Sequence, residues 1–178
     1  MQTAHELFIH ELNDMLDAEQ QIVNALQQLE NESERPDLQK AFSQHRGQTE
    51  KQIERLHQCF EEIDEQPKEQ ECLGIRGIIG EKQKLEEEDP SDEIKEIFSI
   101  GASTKVEHYE IAAYNGLIDM AQKMGHKQSV RLLQQNLREE EQMLKKCESL
   151  LKKLKPSMMG MEEEEMEEAP RSRTRRAA

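Results

Sequence analysis

The sequence has no tryptophan, only 3% aromatic residues, 8 glycines and 5 prolines among 178 residues. Valine and threonine are also scarce, so little in the chain favours strands or the turns that join them. Its three cysteines, Cys59, Cys72 and Cys147, are odd in number and widely spaced. Neither a disulfide framework nor a zinc ribbon is indicated, and the expected setting is reducing and intracellular, the cytoplasm. No apolar run approaches the ~20 residues that span a bilayer. The N-terminus lacks the charged start and apolar core of a signal peptide, so no membrane partner is expected. Excess positive charge is missing as well. The net charge of −14 repels phosphates, and nucleic acid is not an expected partner.

What is present is helix-forming. Charged residues make up 35% and hydrophobic ones 34%, with Glu, Gln, Lys and Leu abundant, in a chain long enough for one domain with a sizeable core. The first segment, about 3–32, carries Leu12, Leu16, Val23 and Leu26 at helical spacing. Pro36 interrupts it and opens a second helix, with Pro36 or Asp37 in the first turn. The second seam runs Leu38, Phe42, His45, Thr49, Gln52, Leu56, Cys59, Ile63 and is polar in its middle third. A long connection over 66–90 holds a short helix weakened by Gly74, Gly77 and Gly80.

A turn at Asp89-Pro90 then leads to a third long helix with the seam Ile97, Ile100, Thr104, Glu107, Ile111, Tyr114, Ile118, Ala121. Gly125 stops it. The fourth, about 127–154, has the seam Val130, Leu133, Leu137, Glu140, Leu144, Cys147, Leu151. The expected fold is all-α: an antiparallel four-helix bundle over 1–155, with one long crossover between the second and third long helices that carries a short fifth helix. That connectivity is ferritin-like. Residues 156–178, an acidic block followed by arginines, have no apolar period and are expected to be a disordered tail.

All four long helices place a ligand-capable side chain near mid-length on the inward stripe. These are Glu19 on the first, His45 on the second, Glu107 with Glu110 one turn on, and Glu140 on the fourth. Taken singly, each has an ordinary reading. A seam glutamate is commonly at a bundle edge or reaches out to solvent, and a lone histidine is commonly packed or capped. Convergence changes the balance. Two bare carboxylates about 4 Å apart repel by roughly 4 kcal/mol at an effective dielectric of 20, so a core cluster needs protons, basic partners or cations. Four carboxylates and an imidazole suit iron, manganese or zinc, and Glu107 or Glu110 is a candidate bridge between two ions. His108 points about 100° away from Glu107 and is expected at the surface or behind the ligands. Glu139 and Glu141 flank the seam. Gln52 is a weak ligand, a hydrogen-bonding partner, or neither.

The stretches LFIHELNDMLDAEQQI (7–22), HRGQTEKQIERL (45–56), KVEHYEIAAY (105–114) and LLQQNLREEE (132–141) resemble the YciE/YciF-type ferritin-like stress proteins, in order, over about 3–154. The resemblance implies a rubrerythrin-related bundle, a di-metal centre and commonly a homodimer; the expected cofactor is one or two transition-metal ions, iron foremost, with manganese or zinc as alternatives. Rubrerythrins and ferritins carry a Glu on the first helix, ExxH on the second, Glu or ExxE on the third and ExxH on the fourth. Glu19 and Glu107-x-x-Glu110 match that pattern. On the fourth helix Glu140 is followed by Met143, and the second has Thr49-x-x-Gln52 with His45 one turn earlier. Both missing histidines imply slower iron oxidation than in a ferritin. No CxxC pair of a rubredoxin-like module is present.

The expected function is a di-metal stress-response protein engaged in metal handling or in redox chemistry on oxygen or peroxide. The alternative is a bundle that works by association alone, its polar seam fixing helix register.

Overall fold

Five helices account for nearly all of residues 1–154, the part of the chain that the computed structural model describes. They are α1 (Ala4–Glu32), α2 (Pro36–Glu62), α3 (Leu73–Glu86), α4 (Asp92–Met124) and α5 (Lys127–Lys152). The expectation of a disordered tail over 156–178 falls outside the described residues.

The ends follow local chemistry. Thr3 caps α1 in a reciprocal box with Glu6, which satisfies two of the free backbone donors at the helix start. Pro36 stands in the first turn of α2, where its missing N–H costs nothing. The Ser91 side chain caps α4. Gly125 ends α4 at φ 82°, a left-handed backbone that a residue with a Cβ adopts only at a cost.

Short links fold α1 against α2 and α4 against α5 as antiparallel pairs, and α1–α4 and α2–α5 contacts close the square. The crossover over 63–91 carries α3 across the outside of α1 and α4. This is the ferritin-like bundle that the seams predict. The crossover helix is more regular than its glycines suggest. Gly74 sits where an added Cβ would lie 2.5 Å from a ring carbon of Tyr109, so the glycine lets α3 approach α4 closely. The Tyr109 hydroxyl donates to Asp14 (3.0 Å) and lies 3.1 Å from the Cys72 sulfur, which ties α4 to α1 and to the start of α3.

One apolar cluster fills the bundle, with Phe8, Leu12, Met15, Leu56, Phe60, Leu117 and Leu133 among its members. On α5 the buried face is rotated from the apolar stripe: Ser129, Asn136 and Met143 are buried, whereas Val130, Leu137 and Leu144 are only half-buried.

Candidate metal centre

Helical periodicity carries four acids and one histidine into the middle of the bundle. Glu19, Glu107 and Glu140 are 0% exposed, Glu110 1% and His45 5%. Their ligand atoms form two groups, His45–Glu107–Glu140 and Glu19–Glu110–Glu140, with the atoms of each lying within 4.8 Å of one another. All five expected residues therefore meet, and Glu140 belongs to both groups. The sequence offered Glu107 or Glu110 as the bridge; Glu140 is the residue common to both groups, because α5 faces α2 and α4 together.

A frame of hydrogen bonds orients part of this set. Gln52 donates its amide to Glu140 Oε1. Tyr114 donates its hydroxyl to Glu19 Oε1 and accepts from Asn136 Nδ2 at 2.8 Å. Thr49 donates to the His45 carbonyl at 3.2 Å, within its own helix. Arg55 pairs with Glu139 at the edge of the site. Gln52 thus orients the shared acid, and Glu139 anchors an arginine behind it. His108 and Glu141 are exposed.

Other atoms have no partner. Both oxygens of Glu107, Oε2 of Glu19, Glu110 and Glu140, and Nε2 of His45 are buried without a hydrogen bond. His45 Nε2 lies 3.7 Å from Glu107 and 4.0 Å from Glu140, too far for a hydrogen bond.

Burial controls the protonation of the cluster. Desolvation, followed by the charge of Glu140, pushes Glu19, Glu107 and Glu110 well above the ordinary carboxylate range. Desolvation also raises Glu140 to about 7, with the neighbouring Glu107 carboxyl and the Gln52 amide opposing. His45 is lowered to about 4, first by burial and then by the Lys146 charge. The carboxyls beside His45 do not offset that shift, because burial raises them as well. Burial likewise keeps the Tyr114 phenol protonated, so it remains a donor to Glu19.

Without a cation, the site is therefore a cluster of neutral or half-neutral acids beside a neutral imidazole. Cations can replace those protons, and a neutral imidazole and deprotonated carboxylates are the forms that ligate. The unpartnered oxygens and the unpartnered Nε2 fit a pair of hard-to-borderline metal ions.

Sequence reasoning passed over Asn136 and read Tyr114 only as an apolar seam residue. Asn136 stands one turn before Glu140 on the same face, but the adjacent Leu137 drew the stripe towards itself. Met143, buried three residues after Glu140, occupies the place of the absent histidine.

The family model for a domain of unknown function, DUF892, matches residues 3–159. Protein YciF of Escherichia coli (strain K12) is 36% identical over 142 residues, which is 79% of this chain and 86% of that protein. The crystal structure of that E. coli stress protein superposes with a TM-score of 0.80 at 32% identity, covering 91% of this chain and 100% of that one. YcfI of Rhodopseudomonas palustris superposes at 0.79 with 36% identity, over 83% of this chain and 94% of its own. Sequence and fold agree over nearly the whole bundle, and the chain belongs to the DUF892 family.

Proposed function

We propose that this bundle holds two adjacent transition-metal ions, iron foremost and manganese or zinc as alternatives, and serves a stress response by metal handling or redox chemistry on oxygen or peroxide. One observation carries the reading: two donor groups share Glu140, and each of their members has a buried ligand atom without a partner. A polar core that only fixes helix register would pair its carboxylates; Gln52 Oε1 and Asn136 Oδ1 are unmet as well, but four clustered acids with unmet oxygens, each costing about 1–3 kcal/mol, are what a cation would relieve. The stress role is supported by the likeness to E. coli YciF, described as a stress protein.

His45 and Glu107 would hold one ion, Glu19 and Glu110 the other, and Glu140 both. Gln52 and Tyr114 hold Glu140 and Glu19 in place, and the apolar shell above and below keeps bulk water from the ligands. A bound pair of redox-active metals supplies electrons to an oxidant at open coordination positions. The protein's own part is to position the carboxylates and to release their protons as the ions enter.

A homodimer is the assembly proposed with this reading, and sedimentation velocity tests it separately. The central test is metal analysis of protein purified without chelator. Wild type should carry about two equivalents, and Glu140→Ala should lose both because the ligand is shared. Equal metal content in the two proteins would mean that ions merely decorate the acidic surface.

A further inference from the structure

The two donor groups are not equally accessible. A cavity of about 60 Å³ lies between α1, α3 and α4, and the buried His45 of α2 and Glu107 of α4 are part of its lining. Its wall is almost wholly apolar, formed by side chains such as Ile22, Leu26, Ile79, Ala102 and Val106. Neither Glu19 nor Glu110 lines it. A wider cavity of about 280 Å³ at the end of the bundle shares Leu29, Lys82 and Ser99 with it. That outer space is edged by charge, including Arg35, Glu93 and Glu96. Lys82, bonded to Glu32 (2.7 Å) and Glu86 (2.5 Å), stands where the two meet.

Size and polarity select what can pass. At about 60 Å³ the inner cavity falls well short of the about 150 Å³ of an engineered cavity that takes benzene. A ring-sized molecule does not fit. A hydrated cation would have to shed its water against carbon, which is strongly unfavourable. Hydrogen peroxide would meet few hydrogen-bonding partners along the wall. The lining is also specific, because the two candidate ligands in it carry unpartnered atoms, His45 Nε2 and both Glu107 oxygens.

We infer that dioxygen, a small uncharged molecule, reaches the His45–Glu107 side of the centre through this apolar cavity under α3, which makes that side the substrate-facing one. The inference rests on the proposed metal centre. The crossover helix then serves as a cover, since Ile78 and Ile79 of α3 line the cavity and separate the centre from bulk solvent.

The test uses the full chain and begins without metal. Xenon is the probe for the cavity, read by methyl chemical shifts in isotope-labelled apo-protein. Xenon should shift the methyls of Ile22, Leu26, Ile79 and Val106, and the shifts should vanish in Ala102→Leu, which fills the space. Ala25→Leu fills it from the α1 side and serves as the second variant should the first fold poorly. Loaded with Fe(II), either variant should bind as much metal as wild type yet react with dioxygen several-fold more slowly.

No xenon shift in wild type overturns the inference, whatever the metal does. So does an undiminished dioxygen rate in a folded variant that has lost xenon. Absence of bound metal in wild type overturns the proposed function, and this inference with it, even when xenon binds. The metal count therefore separates failure of the centre from failure of the route.

Discussion

Glu140→Gln is the most informative single substitution, because glutamine copies the shape of the protonated acid and can still accept the Gln52 hydrogen bond. In chelated wild type, the folded-state pKa of Glu140 is about 7, against an ordinary 4.5. A carboxyl raised on folding stabilises the fold below its unfolded pKa, and that stability is lost as pH rises through the folded pKa. At about 1.4 kcal/mol per pKa unit, the loss between these two values is about 3 kcal/mol. Glutamine does not titrate and does not lose it. It also removes the repulsion that Glu140 exerts on Glu19, Glu107 and Glu110, which acts in the same direction.

With chelator, the two proteins should melt together near pH ~4.5, and near pH ~8 the variant should melt roughly 5–10 °C higher. With metal the order should reverse. Ligand linkage gives wild type about 2.7 kcal/mol at a free concentration of 100 times Kd, increasing with pH because binding displaces protons. The variant, lacking the shared ligand, should gain much less. The assay is thermal unfolding followed by circular dichroism at several pH values, with chelator and with Mn(II) or Zn(II), and anaerobically with Fe(II). Parallel pH profiles in chelator, or a variant less stable than wild type near neutral pH, would refute the account of the buried acids.

Other expectations follow from the same geometry. Fe(II) oxidation by dioxygen should be measurable by stopped-flow absorbance but slower than in a ferritin with both ExxH motifs, and Glu107→Ala should abolish it; a rate unchanged by that substitution places the chemistry elsewhere. Tyr114→Phe leaves Glu19 and Asn136 short of a buried partner and should cost about 1–3 kcal/mol in chelated protein, measured by urea unfolding. Gly74→Ala forces apart the Tyr109 ring and α3. A cost of about 1–3 kcal/mol is expected, with a changed Tyr109 near-ultraviolet signal; an unchanged signal means that the ring is not held by Asp14 and Cys72.

Much of the molecule was legible because helices convert spacing into direction. Glu19, His45, Glu107, Glu110 and Glu140 keep phase with apolar neighbours over several turns, so any packing of those stripes turns them inward. Pro36 and Gly125 act through their own backbones, and they mark helix ends without reference to the rest of the chain. The long crossover was plain from the distance between amphipathic segments. The helices, their order and the set of side chains that meet all follow from spacing along the chain.

How those side chains meet is a matter of packing. The α5 helix is rotated so that Asn136 and Met143, and not Leu137 and Leu144, face inward, because its partners α2 and α4 share that side of the bundle. Such a rotation of a helix about its axis is set by the combined shape of two neighbours, which no periodicity within one helix encodes. The same placement makes Glu140 the common member of both donor groups, sends Gln52 to it, and leaves the cavity under α3 open to His45 and Glu107 and away from Glu19 and Glu110. Spacing along one helix selects a face, whereas the partner of each atom depends on distances between helices that only the packed bundle defines.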